Sequence, residues 1–171
     1  MLNRLKQLFD GFTLVETLVS LVILSLGLIP TLAVITSSVN ISKIIRNNLI
    51  GAQLNQEGLE VVRSLRDANW FNGSGFNNNL VGTWRIEWNT DWTTNPPVAT
   101  NPLTNPLLKF DQTTGLYSYS IGQDTFFKRL ITISMIANTC NCEMLVRSEV
   151  TWTDFRRTRT IMAESHLFDW R

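Results

Sequence analysis

A run of apolar residues from Phe12 to Ile35, 24 residues long with Glu16 as its one formal charge, limits what this chain can fold into more than any other feature. At about 1.5 Å per residue it is long enough, as a helix, to cross a hydrocarbon core of roughly 30 Å. An unpaired carboxylate near the start of such a segment costs on the order of a few kcal/mol. A simple anchor gains nothing from it, so Glu16 requires a cationic partner. The nearest is the amine that a cut just before Phe12 would create, on this chain or on a neighbour.

Arg4 and Lys6 precede the run. By the positive-inside tendency they hold the N-terminus in the cytoplasm and leave everything after Thr36 outside. A conventional secretory signal fits poorly, because no clear small-x-small cleavage site follows a short apolar core. An uncleaved anchor leaves Glu16 unexplained.

The order of these parts is specific. Gly11-Phe12-Thr13-Leu14-Val15-Glu16, after a short leader with Arg4 and Lys6, resembles the cleavage and methylation signal of type IV prepilins and the related pseudopilins. The resemblance covers roughly the first third of the chain, counting the helix that follows. It implies that a membrane-embedded prepilin peptidase and methyltransferase cuts after Gly11 and methylates Phe12. It also implies that Glu16, fifth from the new terminus, pairs with the N-terminus of a neighbouring pilin or pseudopilin subunit during assembly. The inner-membrane assembly platform and the lipid bilayer are the other partners implied. On this reading the protein sits first as a single span in the inner (cytoplasmic) membrane, its head outside, and then in a pilus or pseudopilus.

Gly27 and Pro30 interrupt the apolar run, and proline removes the donor that would bond the carbonyl of Leu26, so a break or kink in the helix is expected there. Beyond it the apolar residues narrow to a stripe of Ile41, Ile45, Leu49, Ala52, Leu59, Val62 and Leu65, with polar residues largely elsewhere. The domain plan is a leader over 1–11, a transmembrane or filament-core helix over 12–36, an amphipathic helix over 37–68 and a head over 69–171. The glycines and asparagines of 69–79 end the helix.

Thr83 to Trp88 alternates as a half-buried strand, which sends Trp84 and Trp88 inward. Residues 89–106, rich in Asn, Thr and Pro, read as an exposed loop. A short hairpin is expected around Asp111–Gly115. Three longer strands close the chain: Phe127 to Met135 with Ile131, Ile133 and Met135 on one face, a second with Met144, Val146, Val150 and Trp152 on one face, and Thr158 to Phe168. The last two join through Thr153 to Arg156. A sheet with one apolar face must be covered, and the amphipathic helix is the available cover. The expected fold is therefore α+β, a long N-terminal helix packed on a C-terminal antiparallel sheet. The ending Leu167-Phe168-Asp169-Trp170 also resembles the C-terminal ends of some minor pilins and pseudopilins.

Charge and chemistry narrow the function. Residues 1–11 hold two of the 15 basic and one of the 14 acidic groups, so 13 of each remain after them, and bulk charge gives no reason to expect nucleic-acid binding. His166 stands alone beside scattered serines, which is no triad. Cys140 and Cys142 are two thiols without further metal ligands at suitable spacing; in an oxidising compartment they form a possible disulfide that tightens a turn. Phosphate-binding glycine loops are absent. Neither an enzyme, a cofactor nor a metal is expected. Arg156, Arg157 and Arg159 cluster at the last turn and contact DNA phosphates if they converge on one exposed surface; a solvated turn is the plainer reading. Taken with the resemblance, these features are expected of a minor type IV pilin, a structural or priming subunit. The alternatives are a type II secretion pseudopilin and a pilus-tip subunit that binds DNA or a surface ligand.

Overall fold

A computed structural model describes residues 13–137, 141–154 and 157–170. They divide into two compact units, one ending at Ile45 and one beginning at Arg46. A single helix, α1, covers Leu14–Phe71 and contributes to both.

In the first unit, Thr13 caps α1. Its hydroxyl accepts from Glu16 N at 3.2 Å and its carbonyl from Thr17 N at 3.1 Å. Thr13-x-x-Glu16 is the spacing of a capping box, and a carboxylate in the first turn also meets the positive end of the helix dipole. Hydroxyls inside the apolar run turn back on the helix: Thr17 to Leu14 O, Ser25 to Val22 O, Thr31 to Gly27 O and Thr36 to Ala33 O. None of these hydroxyls needs water. α1 runs through Gly27 and Pro30 without interruption, so no melted turn separates its halves here.

α1 ends in the second unit by a Schellman motif. Gly73 takes a φ of 72°, its N–H donates to Trp70 O at 3.1 Å, and Ser74 N donates to Asn69 O at 2.9 Å. Asn69 then ties the following loop by donating to the carbonyls of Phe76 and Asn78.

Among the described residues the second unit holds eight strands: β1 Gly82–Arg85, β2 Val98–Ala99, β3 Lys109–Phe110, β4 Tyr117–Ser118, β5 Gln123–Asp124, β6 Phe127–Met135, β7 Glu143–Asp154 and β8 Arg157–Phe168. The larger sheet has the order β2-β1-β6-β7-β8 and the smaller β4-β3-β5, all pairs antiparallel. The three long strands form the expected meander, with Ile133 opposite Val146 and Val150 opposite Ile161. Period-two alternation buries Phe127, Arg129, Ile131 and Ile133 on β6, and Met144, Val146, Ser148, Val150 and Trp152 on β7. Val62 and Leu65 of α1 pack with Ile131, Ile133, Met144 and Val146, while Leu54 packs with Leu108, Phe127, Val150 and Trp152.

Four expectations need correction. Within the second unit the stripe of α1 is not throughout the face that covers the sheet: Leu49 is 57% exposed, while Asn47, Gly51, Asn55 and Gly58 are buried. Close approach explains this, since a Cβ on Gly51 would stand 3.0 Å from Trp152 Cζ3 and one on Gly58 2.8 Å from Ile131 Cδ1. Asn55 finds partners there, donating to Ile161 O at 2.9 Å and accepting from Ser148 Oγ at 2.8 Å. Next, β1 stops at Arg85, so Trp88 falls beyond the alternation and is 48% exposed, while Ile86 is buried and Trp84 half-buried. Third, 89–106 is irregular but not simply an exposed loop, because it contains β2, Trp92 donates to Leu65 O at 3.1 Å, and buried Asn105 donates to Arg129 O at 2.9 Å. Finally, the short hairpin of β3 and β4 gains an unforeseen third strand, β5.

Candidate assembly signal and its surroundings

Gly11 and Phe12, the expected cleavage pair, lie outside the described residues. Glu16 is exposed in the first turn of α1, and among the described residues no cation pairs with it. Around and beyond it the helix surface is open and apolar: Leu14, Val15, Leu18, Val19 and Val22 are all more than half exposed. The span is long and apolar enough to cross a membrane and is 0% buried over its most apolar window. Water is a poor solvent for such a surface. The sequence disclosed Glu16 and the apolar run, but the capping role of Thr13 was legible too, from its Thr-x-x-Glu spacing, and was missed.

The arginine cluster is only partly visible. Arg156 lies outside the described residues. Arg157 is exposed and opposite Asp154; Arg159 is half-buried and opposite Trp152. Residues paired across an antiparallel ladder share a face, so Arg159 lies on the side of the sheet that buries Trp152. Its Nε is buried without an acceptor among the described residues.

Cys140 also lies outside the described residues, whereas Cys142 is not a free thiol. His166 Nδ1 lies 2.6 Å from Glu143 Oε1 across β8 and β7, an exposed pair on the outer face. Among the described residues no three His, Cys, Asp or Glu side chains gather as a metal site.

Sequence reasoning passed over Arg129, which alternation places on the same face of β6 as Ile131 and Ile133. It is fully buried and donates from Nη1 to Leu54 O at 3.0 Å and Glu57 Oε1 at 2.7 Å, and from Nη2 to Ile86 O. Its own carbonyl accepts from Asn105 Nδ2 and Tyr119 Oη, each at 2.9 Å. One side chain thereby ties α1, β6 and the segment after β1, with both terminal nitrogens bonded and Nε left without an acceptor among the described residues. Burial of Tyr119 raises its pKa above the ordinary phenol value, which keeps its hydroxyl a donor throughout the physiological range.

Residues 9–32 match the family model described as the prokaryotic N-terminal methylation motif. No curated protein and no solved structure matches the chain. The chain thus carries the type IV prepilin-type signal, on one long N-terminal helix followed by antiparallel sheets in an α+β arrangement. That signal supports a protein of the type IV pilin and pseudopilin class, one that is structural in general, is processed by prepilin peptidase and assembles with other pilins. An N-terminal apolar helix fits a membrane-anchored member of that class.

Proposed function

We propose that this protein is a minor type IV pilin, a non-enzymatic structural or priming subunit that is cut after Gly11, methylated on Phe12 and held in its filament by Glu16. The observation that carries this reading is the methylation motif over 9–32 set on a helix whose apolar surface, among the described residues of the first unit, is exposed. An apolar helix that must leave the bilayer needs another apolar environment, and sister helices supply it. Glu16 then meets the freed amine of a neighbouring Phe12, so that two charges costly to bury apart are buried together. The leader 1–11, the span 12–36, the helix 37–68 and the head 69–171 are the working parts of this account. Gly27 and Pro30 mark where the helix yields when packed, and Cys140 bonds Cys142 to close the β6–β7 turn.

Glu16→Val tests the reading. It makes the span more apolar, so membrane insertion survives, and the cut bond lies outside the charge pair, so cleavage largely survives. The mature variant accumulates in the membrane and is missing from sheared filaments and from crosslinks to partner subunits. Normal incorporation of Glu16→Val would contradict the proposed pairing. A type II secretion pseudopilin would have the same signal; co-purification with secretion components instead of a retractable pilus distinguishes that assembly.

A further inference from the structure

A recess of about 120 Å³ in the second unit gathers three loops: the segment after β1, the β3–β4 turn and the segment following β4. Its apolar surface comes from Trp88, Leu116 and Ile121, which are 48%, 36% and 67% exposed. Glu87, Asn89 and Ser120 line it beside them, and Asn89 Oδ1 already accepts from Asn95 Nδ2 at 2.8 Å, which leaves the Asn89 amide nitrogen to donate. Large apolar side chains left open together, ringed by hydrogen-bonding groups, mark a surface made for contact.

The chemistry of the lining selects the contact. No lysine or arginine lines the recess, while Glu87 and Asp111 do, so phosphates and other anions are repelled. A nucleic acid is disfavoured for the same reason, since its affinity comes mainly from cations on phosphate. Asp111 is committed to its own turn, accepting from Thr113 N and Thr114 Oγ1, each at 2.9 Å, which leaves little for a metal ion. What remains is a neutral ligand with one apolar face and a rim of hydroxyls. A pyranose ring has that form: its C–H face packs on an indole, and its hydroxyls donate to a carboxylate and exchange hydrogen bonds with amide and hydroxyl groups.

We propose that this recess binds a neutral oligosaccharide, with one sugar ring on Trp88 and its hydroxyls on Glu87 and Asn89. The walls are already set. Glu87 N donates to Thr90 Oγ1 at 2.8 Å and Thr90 N returns to Glu87 O at 3.1 Å, while Ser118 Oγ donates to Ile121 O at 2.8 Å and accepts from Ile121 N at 3.0 Å. Little ordering cost is left for binding. The inference does not rest on filament assembly, because the recess is formed by the second unit alone.

The test uses the full chain in a zwitterionic detergent without a sugar head group. Cellotriose, chitotriose and mannotriose are titrated while the backbone amide resonances of Asn89 and Leu116, which every variant keeps, are followed by NMR. At least one trisaccharide shifts these resonances and saturates. Affinity then falls at least about tenfold in Trp88→Ala and Ile121→Ser but stays within about threefold in Trp88→Phe, which keeps an aromatic face. No saturable shift with any of the three overturns the proposal, as does sugar binding unchanged in both Trp88→Ala and Ile121→Ser. If the recess instead captures a filament protein through Trp88 with no response to sugar, it is a protein-docking patch and the proposal falls. Loss of subunit incorporation in Glu16→Val leaves this titration unaffected, so the two readings fail separately.

Discussion

A Cβ placed on Gly58 would stand 2.8 Å from Cδ1 of Ile131 and 3.0 Å from Ser148 Oγ, so α1 lies on β6 and β7 at a distance that only a missing side chain allows. Gly58→Val is therefore expected to destabilise the second unit by about 2–3 kcal/mol, the usual cost of overpacking a filled core. That corresponds to a Tm lower by about 5–10 °C. Gly27→Val is the control, since a Cβ there meets nothing within 4 Å. Thermal unfolding followed by tryptophan fluorescence checks both; equal Tm values would contradict the close packing.

Arg129 is buried where its neighbours are Leu54 O, Glu57 and Ile86 O. Arg129→Met keeps the apolar stem but leaves two carbonyls without their donor, and is expected to cost about 2–4 kcal/mol. Glu57→Gln removes only the charge of a partly exposed partner, whose pairing is discounted by solvent, and costs about 1 kcal/mol or less. Chemical denaturation of the two variants checks the order, and a larger loss in Glu57→Gln would contradict it.

The meander from Phe127 to Phe168 was legible because alternation in a half-buried sheet writes each face into the sequence, and the hairpin at Asp111–Gly115 was legible from its turn residues. The side of α1 that meets the sheet was not. In the second unit hydrophobicity points to Leu49, but contact is decided by how near the backbone can come, and glycine at 51 and 58 carries no hydrophobic signal. Asn55 and Arg129 were hidden for a related reason: a polar side chain reads as exposed until its buried partners are known. Trp88 shows the opposite failure, alternation extended past the last residue of a strand. The assembly signal was legible as a string of residues, because its parts are contiguous and need no tertiary contact to define them.

Two exposed loop carboxylates give a pH prediction. The hydroxyl and amide of Thr94, with the amide of Thr93, hold Asp91 well below its ordinary value of 3.8, and the Thr113 amide with the Thr114 hydroxyl lowers Asp111. Each folded pKa lies below the unfolded one, so the contribution to stability is full above about pH 3.8 and is lost only as pH falls through the lower folded values. Amide resonances of Thr93, Thr94 and Thr113 should hold steady from neutral pH to about 4 and move below it. Movement centred between pH 5 and 7 would contradict these assignments.

Changing Arg156, Arg157 and Arg159 together to alanine tests the DNA reading. Arg157 and Arg159 share one face of β8, but Arg159 is half-buried there beside Trp152, which leaves less of it open to a phosphate backbone. The expected result is no salt-sensitive DNA binding by the full chain in detergent, and no difference in the triple variant. Binding that weakens with salt and loses about two to three units of log–log slope in the variant would restore the arginine turn as a DNA contact.

The central claim is that the chain is made as a precursor and put to use after processing. Intact-mass and terminal-peptide spectrometry of the membrane-extracted protein, from cells that hold a matching prepilin peptidase, tests it most directly. The account predicts a chain that begins at Phe12 with one added methyl group on its amine. A chain that keeps Gly11 and the ten residues before it, in cells where other prepilins are cut, would contradict it.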